Sequence, residues 1–248
     1  MSATAALTDR SSRPSLLRLA RVEGRKMIDT RAGFWLLLLT ALAAVGGMLG
    51  ERLSVGDDVA FGRMYLTAIA TASLLPPVIA VLLVTSEWSQ RTGLITFTLV
   101  PARGRVVAAK LIAALALAVV VSLFCLLIAA IGAATASGAG LEAAELGRGL
   151  LYQAIGVAIG VGIGLVVMNS PAAIVLYFLG PLLIATVGAI SDSINDVTSW
   201  LDQSVMEELV NLPDLSGEEW QKVAVTFAFW ALLPLAAGML RLRRGDID

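Results

Sequence analysis

LIAALALAVVVSLFCLLIAAIGAATA, residues 111–136, contains no Asp, Glu, Lys or Arg. A hydrocarbon core about 30 Å thick needs about 20 helical residues, so this run is long enough to cross a bilayer. Helix is the reading because an open sheet in lipid would leave backbone groups unpaired. Five further uncharged windows lie on either side of it, at 33–50, 64–86, 149–168, 172–190 and 223–240. The first is no cleaved signal peptide: it starts too late, is too long, and five more follow. Composition agrees, with 58% hydrophobic and only 15% charged residues, where a soluble domain carries about 25% charged. Mean hydropathy is +0.85. The sequence therefore predicts an all-α membrane protein of six transmembrane helices. They form one domain over 15–248, preceded by a disordered basic tail at 1–14.

The basic residues set the expected orientation. With the N-terminus inside, the cytoplasmic segments hold Arg10, Arg13, Arg18, Arg21, Arg25, Lys26, Arg31, Arg91, Arg103, Arg105, Lys110, Arg241, Arg243 and Arg244. Only Arg52, Arg63, Arg148 and Lys222 fall outside. The positive-inside rule counts Lys and Arg alone, and it predicts both ends in the cytoplasm of a bacterial inner membrane.

Two flanking segments carry helical periodicity. Residues 15–31, SLLRLARVEGRKMIDTR, mix leucines with basic residues. They read as an amphipathic helix on the cytoplasmic face, the alternative being a plain basic anchor. Residues 191–221 hold eight acids and no Lys or Arg, while Ile194, Val197, Leu201, Val205, Leu209 and Leu212 recur at spacings of three and four. That period predicts an outer amphipathic helix between spans five and six, turning at Pro213 into the last span; a solvated acidic loop is the other reading.

The cytoplasmic segment 86–110, SEWSQRTGLITFTLVPARGRVVAAK, leaves the membrane at Glu87 and returns through Arg103, Arg105 and Lys110. Its apolar stretch, Leu94 to Val100, is costly to leave in water and should pack against its own bundle or a soluble partner. Glu87 followed by Thr92, a leucine-rich turn, Pro101, Arg103 and Lys110 resembles the cytoplasmic loop of ABC type 2 exporter permeases. Arg91 stands where that pattern has glycine. The resemblance extends over the whole chain: basic amphipathic start, six spans, and an outer element before the sixth. It implies a transmembrane subunit whose loop and N-terminal helix dock on a separate ATP-binding cassette ATPase, with ATP and Mg bound there. It also implies that Glu87 and Arg91 pair with charges on that ATPase.

The residues restrict the alternatives. There is no histidine and one cysteine, Cys125, within an apolar run, which removes His-based triads, His-ligated metals and disulfides. No charged side chain sits in any window and no G-x-x-x-x-G-K-[ST] loop exists. Catalysis within the membrane, ion coupling and in-chain ATP hydrolysis therefore all lack their usual residues. The chain is expected to be no enzyme and to hold no cofactor. A channel or ion-coupled carrier, or a membrane scaffold or immunity protein, is the alternative.

Gly156, Gly160 and Gly164 share one face of span four, fit for close helix approach within the bundle or between subunits. Pro76 and Pro77 should kink span two, as a gate or as a plain bend. Six helices enclose little space, so a homodimer or a heterodimer with a related permease is expected. The aliphatic spans suit a hydrophobic or amphiphilic cargo such as a drug, lipid or peptide.

Overall fold

The computed structural model describes residues 15–89, 103–212 and 214–244, and among them there is helix and no strand. Helix α1, Leu16–Asp29, starts at Ser15, whose hydroxyl accepts from the Arg18 amide at 3.3 Å. Thr30 ends it and at once caps α2, Arg31–Val55, by accepting from the Gly33 amide at 3.0 Å. The corner is so tight that a Cβ at Gly33 would collide with the Met27 carbonyl oxygen. A glycine is what lets α1 fold back against the bundle.

Span two is broken. α3, Phe61–Ala72, stops at Ser73, and α4, Pro76–Ser89, begins at the proline pair. Prolines suit a first helical turn, where their missing amides have no partner to lose. The expected kink is thus a full interruption at 73–75. α5, Arg103–Ala133, is followed by α6, Ala143–Val167, which opens with a reciprocal Glu142–Glu145 capping box. α6 ends at Met168 in the left-handed conformation (φ 54°), and Asn169 caps α7, Ser170–Gly188, by accepting from the Ala172 amide at 3.0 Å.

Residues 191–212 differ from the expectation of one striped outer helix. They contain α8, Asp192–Thr198, a 3-10 turn at Gln203–Glu207, and the single turn α9, Glu208–Asn211. Val205 and Leu209 are buried, but Val197 is 66% exposed. The stripe is split because the chain bends at 199–202 to reach the last span. There the Thr226 hydroxyl donates to the Trp200 carbonyl at 3.0 Å and the Trp230 indole to the Leu201 carbonyl at 2.7 Å. Pro213, the expected turn, lies outside the described residues.

The last span joins α10, Gly217–Phe227, to α11, Leu233–Arg244, through a π-helical turn at Ala228–Leu232. The Leu233 amide bonds five residues back to Ala228, and Pro234, next in line, has no amide to give. A proline there accounts for the wide turn.

Among the described residues, six helices are long and apolar enough to cross a membrane. They overlap the six windows and mostly run past them, because helix propagation does not stop at a charge: α5 includes Arg103, Arg105 and Lys110. The second and fourth are central, with 61% of their apolar windows buried, against 22% and 17% for the first and fifth. α6 is the hub, touching α3, α4, α5, α7 and α11. The outward faces are greasy: α7 exposes Val175, Leu176, Phe178, Leu179, Leu182, Leu183 and Val187. Each large apolar side chain left in water forgoes about 1.5–3 kcal/mol of burial, so such a face calls for lipid or another helix.

A buried charge cluster as candidate functional site

Glu23 lies on the inner face of α1 with Ala20 and Met27, three and four residues away, and all three are buried. A carboxylate on a buried stripe needs a cation within reach. Two lysines supply it. Lys110, from the first turns of α5, places Nζ 2.8 Å from Glu23 Oε2, 3.0 Å from Glu87 Oε1 and 2.9 Å from the Leu83 carbonyl. Two of its three donors thus make hydrogen bonds, and Glu87 adds an ion pair. Lys26, one turn along α1, bonds Glu23 Oε1 at 2.7 Å and Glu87 Oε1 at 3.0 Å.

The side chains of Lys110, Glu87 and Glu23 are only 2%, 4% and 7% exposed; Lys26 is 40% exposed and forms the outer edge. The cluster thus sets two carboxylates against two ammoniums, one of them buried and one at the exposed edge. Burial works against the Lys26 charge, but hydrogen bonds and attraction from Glu23 and Glu87 outweigh it and hold its pKa above the ordinary lysine value. Beside the cluster, Thr85 of α4 and Ser170 of α7 share a hydrogen bond of 2.7 Å. A cavity of about 230 Å³ lies between Lys26, the Thr30–Gly33 corner and Leu83.

Glu87 was expected to face a partner's charges; in this structure it is 3% exposed and pairs with Lys26 and Lys110 of its own chain. The reason is that α1 folds under the bundle and brings Lys26 to it. Of the other loop residues, Arg91, Thr92 and Pro101 lie outside the described residues. Arg103 is half-buried and donates to the Leu242 carbonyl of α11, while Arg105 is half-buried near the start of α5. Sequence reasoning missed Glu23 and Lys26 as partners. The available signal was Glu23 itself, an acid on the apolar stripe of a basic helix.

Gly156, Gly160 and Gly164 face α4 of the same chain. A Cβ on Gly160 would collide with the Pro77 carbonyl oxygen, while one on Gly156 would sit 3.3 Å from Pro77 Cγ and one on Gly164 3.1 Å from Val84 Cβ. Arg148 is buried rather than exposed at the membrane edge, and it donates to the Leu212 carbonyl. Among the described residues, no group of three or more His, Cys, Asp or Glu is placed to hold a metal.

Fold and site together define a helical architecture with, among the described residues, six helices fit to cross a membrane. A largely buried cluster of two acids and two lysines joins an accessory helix to the ends of two of them. No family model and no curated protein matches the sequence.

Proposed function

We propose that the chain is the transmembrane permease subunit of an ATP-binding cassette exporter. It sits in a bacterial inner membrane with both ends inside, and α1 lies as an amphipathic helix along the cytoplasmic face. The ATPase is a separate subunit, and a second permease, identical or related, completes the pathway for a hydrophobic or amphiphilic cargo.

One observation supports this reading most. Glu87 and Lys110 bracket the cytoplasmic segment expected from the sequence, and the cluster ties these two residues to each other and to α1. Force applied between them would reach α1, α4 and α5 together. An energy-transmitting element needs that property, and a passive channel or scaffold does not. The outward Leu17, Val22 and Ile28 of α1 suit a headgroup layer.

The test is affinity purification of the tagged chain from its native membrane. An ATP-hydrolysing subunit should come with it, and Arg91→Glu should reduce its recovery about tenfold, as loss of a charge contact at an interface does. Recovery of the chain without any ATPase, or uphill transport by the chain alone under an ion gradient, would overturn the reading.

A further inference from the structure

At the end of the bundle away from the charge cluster, a cavity of about 380 Å³ lies between the break in span two, α6, α7 and the 3-10 turn. That is within the range of about 300–1,000 Å³ typical of small-molecule sites. Its walls are of two kinds. Ile155, Ile159, Leu182 and Met206 are apolar, while Tyr152 and Tyr177 add two phenol side chains. Tyr177 is held edge to face against Phe178, with ring centroids 5.1 Å apart. The roof carries Asp202 and Glu207.

The roof is fixed, since the Thr226 and Trp230 hydrogen bonds to residues 200 and 201 hang it from the last span. Asp202 uses one oxygen to accept from the Ser204 amide at 2.9 Å. Gln203, on the same lining, has a buried Nε2 without a hydrogen-bond partner among the described residues. The nearby cations are engaged elsewhere: Arg148 on the Leu212 carbonyl, and Lys222 on Glu218 at 2.9 Å. No basic residue occurs anywhere in 191–221. Greasy walls, two phenol rings and two carboxylates above them form a surface for a positive charge on an apolar body.

We propose that this cavity binds a lipophilic organic cation, and, resting on the exporter reading above, that the cargo belongs to this class. Asp202 and Glu207 attract the charge, Tyr152 and Tyr177 face it with their rings, and the α6–α7 wall takes the apolar groups. Because the walls include Ser73 and Leu74, the interruption in span two makes room for the ligand.

The probe pair is tetraphenylphosphonium and tetraphenylborate, alike in size and shape and opposite in charge. The full chain is placed in phosphatidylcholine nanodiscs, and labelled tetraphenylphosphonium binding is measured by filtration. Saturable binding of tetraphenylphosphonium is expected, and none of labelled tetraphenylborate measured in a separate sample, since the two ions pair when mixed. The pair Asp202→Asn and Glu207→Gln should weaken it about tenfold, the loss of a charge contact in a partly desolvated site. Asn keeps the oxygen that caps Ser204, so the turn stays folded. Ala185→Trp, which fills the cavity, should abolish binding. No saturable binding of tetraphenylphosphonium, equal saturable binding of tetraphenylborate in its own sample, or unchanged affinity in the double variant would overturn the proposal. The assay contains no ATPase, so a missing ATPase in native purification sinks the exporter reading while leaving a measured cation site standing. A failed cation assay with the ATPase present sinks only the cargo class.

Discussion

Lys110 illustrates how a lysine can be buried beside a bundle of apolar helices. It donates hydrogen bonds to Glu23 and to the Leu83 carbonyl, pairs with Glu87, and is almost closed off from water. Removing one partner from such a group leaves an uncompensated charge, which costs about 3–5 kcal/mol, whereas removing an opposite pair together costs much less. Thermal unfolding in detergent should therefore show large losses for Lys110→Met and for Glu87→Leu alone, and a smaller loss for the two combined. Additive losses would show that the groups do not act as a pair. The pH dependence has a definite sign. Lys26 is raised above its ordinary value of 10.5, so its contribution is complete below that pH and disappears only as pH climbs through the higher folded value. A fluorophore on Ser15→Cys, in a Cys125→Ala background, should report α1 docked through neutral pH and released only in strong alkali. Release between pH 6 and 8 (a range of about two units around neutrality) would contradict the lysine-based lock.

Among the elements, α6 has the least freedom to change. Its glycine face touches α4 at the point where the proline pair restarts span two, and backbone meets backbone at Gly160. Gly160→Leu should lower stability by about 1–3 kcal/mol through overpacking. Gly147, on the same helix with nothing within 4 Å, should accept alanine with a gain of up to about 1 kcal/mol. A thermal-shift comparison of the two separates close packing from helix propensity. The glycine spacing was visible in the sequence, but its partner was not. Spacing says that a backbone can approach, and only the packed bundle says which one does. The outer stripe, 194 to 212, failed as one helix for a related reason. Periodicity was satisfied locally, but the chain gained more by turning its 200 and 201 carbonyls toward Thr226 and Trp230.

For the whole molecule, the exporter reading requires both ends on one side. Cys125 is the only cysteine and is fully buried, so single cysteines placed at Ser15 and at Asp214 can be read without background. In sealed cells an impermeant thiol reagent should reach residue 214 from outside and residue 15 only after lysis. Labelling of both from the same side would exclude a fold that crosses the membrane five times between them.

The sequence alone determined the six apolar helices and where they lie, because bilayer thickness and backbone hydrogen bonding leave a long uncharged run few choices. It also flagged Glu87 and Lys110 as the two roots of one loop. What only the tertiary structure decided was their partner: α1 folds back at Gly33 and delivers Glu23 and Lys26 to them. The cavity at the other end of the bundle likewise arises from the meeting of a helix break, two neighbouring helices and a distant turn. Hydropathy is a local property of the chain and can be read along it. Neutralising a buried charge, or enclosing a volume, requires groups far apart in sequence to meet, and that is settled only when the helices pack.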